Sequence, residues 1–162
     1  MILPILRWPD ALLSTRCAAA VLDDDLRRLA ADMLETMYAA PGRGLAAPQV
    51  GRLVRMFVMD TAWKEGNAEP VVMVNPEIVA LGDTRVTGPE GCLSIPGPLT
   101  LVDRASEVTM RWTDLDGTLW LRRLTGFDAI CAQHEYDHLD GILTLDRLTA
   151  EDRARAEAEV LA

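Results

Sequence analysis

Apolar residues recur every three or four positions between residues 23 and 38: Leu26, Leu29, Ala30, Met33, Leu34 and Met37. That spacing lines one face of a helix, and the aspartates at its start suit a helix N-terminus. Gly42 ends the pattern. Beyond the loop PGRGLAAPQVG at 41–51 the period shortens to β-type runs at 53–59, 71–74, 78–81 and 99–102, with Asn75-Pro76 separating the second from the third. Runs at 108–113 and 118–124 flank Asp116-Gly117, a strong hairpin signal. The pattern then turns helical again. Phe127, Ile130, Cys131, His134 and His138 fall on one stripe, with Thr125 placed as N-cap and Gly141 as C-terminal stop. The apolar start of this stripe predicts a buried helix, and residues 146–162 predict a short polar one. The expected fold class is α+β, with short antiparallel or mixed strands wrapped around a central helix in a single domain, 1–162.

Charge and composition narrow the function. The formal charge of −9 argues against nucleic acid or an anionic membrane as main partner, since both require clustered Lys and Arg. The opening MILPILRWPD holds neither a long apolar run nor a small-residue cleavage site, so a cytoplasmic location is the expectation. Cys17, Cys92 and Cys131 are an odd set for a disulfide framework, which leaves burial or metal binding. The chain has two histidines, and both lie in HEYDH at 134–138.

HEYDH fits H-E-x-x-H: histidines four apart on one helical face hold a metal while Glu135 reaches a water beside it. A catalytic site takes three protein ligands and leaves one position open. With no further histidine, the third ligand must come from elsewhere. Cys131 precedes His134 and its short thiol leans away from a metal held between the histidines, so it reads as a buried small residue. Glu157 and Glu159 lie downstream as weak alternatives. Cys92 sits in GPEGCLSIPG, where a tight turn can present a thiolate and expose neighbouring backbone N–H groups. Cys17 has no such context.

GRGLAA at 42–47 formally matches the dinucleotide fingerprint G-x-G-x-x-A, but a helix precedes it and Pro48 follows, so that reading is rejected. The glycines instead allow close approach of backbone to a ligand, with the Gln49 amide aimed at it.

Together, GRGLAAPQVG, EGCLS and QHEYDHLDG resemble the three signature motifs of peptide deformylase, GxGxAAxQ, EGCxS and HExDH. The resemblance implies removal of the formyl group from the formyl-methionine of newly made polypeptides in the bacterial cytoplasm, by a monomer working near the ribosome. It implies one divalent metal, ferrous iron by preference with zinc or nickel as substitutes. It matches Cys92, His134 and His138 to the ligands, Glu135 to the general base, and Gln49 with the Leu93 N–H to the oxyanion donors. Gly42, Arg43 and Gly44 then border the substrate, and Glu90 with Arg104 forms an ion pair that fixes the cysteine loop. Arg43 departs from the Ile or Val usual there. It either points to solvent or reaches a carboxylate of the substrate beyond the methionine. The segment GPLTLV after SIP is more apolar than the family pattern, which bears on substrate preference. The alternatives are a deformylase-like protein with a divergent substrate or a binding-only role, and a small metallopeptidase.

Overall fold

The computed structural model describes residues 1–161. Helix α1, Asp24–Ala39, forms where the periodicity places it. Asp23 caps it, its side chain accepting from the Leu26 N–H at 2.8 Å, and Asp24 and Asp25 complement the helix dipole. Its buried face of Leu26, Leu29, Ala30, Met33 and Met37 packs against the first strands of the main sheet.

That sheet has five antiparallel strands in the order β1 (Gly44–Ala46), β2 (Met56–Met59), β3 (Val71–Leu81), β6 (Glu107–Thr113) and β7 (Leu119–Thr125). A separate hairpin pairs β4 (Arg85–Cys92) with β5 (Ile95–Ala105). The expected break at Asn75-Pro76 is instead a bulge inside one long strand. Pro76 has no N–H for the ladder, and Asn75 takes φ +50 while its amide clamps both backbone groups of Ala20. The first expected strand is shorter than predicted, since only 56–59 join the sheet, while Val54 makes an isolated bridge to Ala18. β1 and β4 were not predicted. The Asp116-Gly117 hairpin forms as expected: Asp114 accepts from the Asp116 and Thr118 N–H groups, and Gly117 adopts φ +83.

Helix α2, Gly126–Leu139, lies against β1, β2, β6 and β7 and is buried along much of its length. Thr125 occupies the N-cap position without a capping side-chain bond. Gly141 ends the helix with φ +73, and a Cβ there would collide with the Ser14 backbone. Phe127 and Ile130, expected on the buried stripe, line the wall of a cavity instead, and Phe127 is half exposed. The last helix, α3, is Ala150–Leu161, because 144–147 fold as a separate 3-10 turn. Among the described residues no helix is long and apolar enough to cross a membrane.

Candidate metal centre and active site

Two elements far apart in the chain bring three ligands together. α2 supplies His134 and His138, one turn apart. The end of β4 supplies Cys92, where the hairpin turns through Leu93 and Ser94. One donor atom from each of the three lies within 4.8 Å of the others, and Cys92 Sγ is 3.5 Å from His138 Nε2. A tetrahedral ion bonded at about 2.3 Å to sulfur and about 2.0 Å to nitrogen separates such donors by about 3.5 Å, so the set fits a metal.

Electrostatics agree. Burial opposes charge on His134, yet the Glu135 charge and hydrogen bonds with Cys92 and Glu90 raise its proton affinity well above that of free imidazole. The same converging negative charge favours a cation. His138 is driven the other way by burial and by the charges of His134 and Arg104, which keeps it neutral and able to ligate. His134 Nδ1 donates to Glu90 Oε1 at 2.9 Å, which leaves Nε2 as the free donor atom.

Glu90 belongs to a buried chain of charges. Arg104 donates to both of its oxygens, at 2.6 and 2.9 Å, and to Asp137 at 3.0 Å. Arg147 grips the same Asp137 with two bonds of 2.7 Å. The expected Glu90–Arg104 pair is therefore present within a larger cluster that ties the cysteine hairpin to the histidine helix. Asp137 and Arg147 escaped the sequence reading. An acidic residue beside a ligand on a buried helix was the available signal, since buried charge requires a partner.

Glu135 stands beside the triad, with Oε2 4.0 Å from His134 Nε2. Its Oε1 is buried without a hydrogen-bond partner, and burial pushes its pKa up to about 7. Gly44 is required here, because a Cβ at that position would overlap the Glu135 carboxylate. A Cβ on Gly42 would likewise strike Leu93. Gln49 is fully buried: Oε1 accepts from the Ala46 N–H at 2.9 Å, and Nε2 donates to Ser94 Oγ at 3.0 Å while lying 3.6 Å from Cys92 Sγ. Ser94, which orients this amide, was not singled out from sequence.

Gln49, Cys92, His134 and Glu135 line a cavity of about 390 Å³ that also includes Gly42, Arg43, Gly44 and Leu93. Arg43 does not simply point to solvent. Its guanidinium donates to the Thr61 carbonyl at 3.0 Å, pairs with Glu65 at 2.9 Å and lies over the Phe127 ring. It is held by these partners rather than loose in solvent. Cys131 is buried with its thiol pKa well raised by burial, apart from the triad. Cys17 packs in the core. Glu157, a weak ligand candidate, pairs with Arg153 on α3, which also carries Glu159.

The chain is similar in sequence and fold to known proteins. The polypeptide deformylase family model matches residues 2–154. The peptide deformylase of Alkalilimnicola ehrlichii is 50% identical over 155 residues, 95% of this chain and 86% of its own length. That of Zymomonas mobilis is 42% identical over 165 residues, 99% of this chain and 93% of its own. The crystal structure of a peptide deformylase from Legionella pneumophila superposes with a TM-score of 0.93 at 38% identity, over 99% of this chain and 94% of that one. With both sequence and architecture matched over nearly the full length, the chain belongs to the polypeptide deformylase family.

Proposed function

We propose that this chain, as one catalytic domain spanning 1–162, hydrolyses the N-formyl group of formyl-methionyl polypeptides. The observation that carries the reading is the convergence of Cys92, His134 and His138 beside a buried carboxylate of raised pKa at the base of a cavity. A divalent ion on these three residues would supply a Lewis acid that acidifies water and polarises the formyl oxygen. A thiolate with two imidazoles suits iron, zinc and nickel alike, and the family resemblance favours ferrous iron.

Glu135 takes the proton of the attacking water and returns it to the departing amine nitrogen, a role suited to a carboxylate tuned close to neutral pH. Of the two Gln49 Nε2 protons, one is held by Ser94, and the other, on the Cys92 side, joins the Leu93 N–H in receiving the oxyanion. Gly42 and Gly44 keep the cavity wall flat against the substrate, and Arg43 forms its outer edge. A formyl carbon bears only hydrogen, so a close-fitting wall admits it and rejects bulkier acyl groups by shape.

The bacterial relatives support a cytoplasmic setting; we place the work close to where polypeptides emerge from the ribosome, with a monomer as the working unit. The test is turnover of formyl-Met peptides beside their acetylated and free-amine counterparts. Formate release from the first alone is expected. Cleavage of the free-amine peptide alone would replace this reading with a peptidase.

A further inference from the structure

The cavity is acidic at its base and cationic at its mouth. Glu135 lies at the base, and Glu90 beside it is matched by Arg104. Arg43 and Lys64 line the outer part. This runs against the chain as a whole, which has 25 acidic residues and 16 basic ones and only one lysine, Lys64.

Lys64 has a fixed root and a free end. It belongs to the 3-10 turn Trp63–Glu65. Trp63 Nε1 donates to the Gly42 carbonyl at 2.9 Å, and the Trp63 ring meets Tyr38 edge-on at 5.2 Å. Arg43 holds the same segment through Thr61 and Glu65, and the Thr61 hydroxyl bonds Asp128 on α2. Among these ties, the carboxylate next to Lys64 in the chain, Glu65, is paired with Arg43. The Lys64 ammonium rests 5.8 Å from the Trp63 ring, and no carboxylate among the described residues lies within ion-pair distance of it.

We propose that Lys64 is a specificity-determining residue that favours formyl peptides with an aspartate or glutamate in the first positions after the methionine. The inference rests on the deformylase reading and deepens it. A formylated N-terminus is neutral, so charge discrimination arises where the peptide leaves the cavity, between the Gly42–Gly44 wall and the Trp63–Glu65 turn. Arg43 supplies a fixed positive edge there, tied down by the Thr61 carbonyl and the Glu65 carboxylate. Lys64 is the cation whose flexible stem can follow a substrate carboxylate.

The test compares kcat/KM for formyl-Met peptides continuing with Asp, Ala or Lys in wild type, Lys64→Gln, Lys64→Glu and Lys64→Arg, at low and high salt. Wild type is expected to favour Asp over Lys by roughly threefold to fivefold at low salt, with the ratio shrinking as salt screens an exposed pair. The ratio falls toward one in Lys64→Gln, inverts in Lys64→Glu and survives in Lys64→Arg. An Asp-to-Lys ratio equal in wild type and Lys64→Glu overturns the proposal. A second readout needs no turnover: acylation of the single lysine amine, mapped by mass spectrometry, is slowed more by the product peptide Met-Asp-Ala than by Met-Ala-Ala. Equal protection by the two peptides also overturns it. A protein that deformylates no peptide, yet shows selective protection by the acidic one, sinks the deformylase reading and leaves the charge selection standing.

Discussion

Charge serves opposite purposes behind and in front of the cavity. Behind it, Glu90, Arg104 and Asp137 are all nearly inaccessible and bond to one another and to His134. In front, Arg43, Lys64 and Glu65 are partly or fully exposed. Taking ions out of water costs several kcal/mol each, and only a complete set of partners offsets it, so the rear cluster tolerates no missing member. The front pairs are weak and salt-screened, which makes them poor struts and workable selectors. Because the rear cluster joins the strand of Cys92 to the helix of the histidines, losing it disturbs the metal ligands themselves.

The largest effect should come from breaking the rear cluster. Arg104→Met leaves Glu90 and Asp137 without their shared partner and should destabilise the fold by about 3–5 kcal/mol, read by urea unfolding, with a parallel loss of bound metal. A variant of wild-type stability and metal content would show that the cluster is ornamental.

Titration should separate the two regions next. Burial alone would raise the Glu90 pKa, but hydrogen bonds from His134 and Arg104 prevail and hold it below the usual carboxylate value. Its contribution to stability is thus full above the ordinary value of 4.5 and is lost as pH falls below it. Tyr38, which braces Trp63 at the mouth, behaves in reverse. Burial and its 2.5 Å hydrogen bond to Asp60 raise its pKa to about 12. That contribution is full below about pH 10, the unfolded value, and is lost as pH rises through about 12. Tyr38→Phe should therefore flatten the alkaline limb of a stability profile and leave the acid limb in place. The smallest effect belongs to Arg43→Ile, expected to change unfolding free energy by less than about 1 kcal/mol despite removing an ion pair. A loss comparable to that of Arg104→Met would erase the distinction between the regions.

What was legible in the sequence follows the same division. α1 and the Asp116-Gly117 hairpin were readable because each is encoded by neighbours along the chain. β1 was hidden because three residues beginning with glycine carry no period. β4 was hidden because RVTGPEGC, with two glycines and a proline, lacks the composition of a strand and is held in register by β5. The triad and Glu135 were legible because the chain has two histidines and both lie in a known motif. Ser94 and Arg147 were not, since their roles depend on pairing with Gln49 and Asp137 across the fold. Arg43 lines the cavity, but its partner Glu65 lies 22 residues away and no local pattern announces it.

The central claim is that the triad holds the metal while Glu135 moves the proton, and Glu135→Gln separates these two functions. Metal content and formyl-Met peptide turnover should be measured on the same anaerobic preparation of wild type and variant. The account predicts equal metal occupancy with kcat/KM lowered by at least about a hundredfold, the scale of a lost general base. Turnover near that of wild type at equal metal occupancy would contradict it.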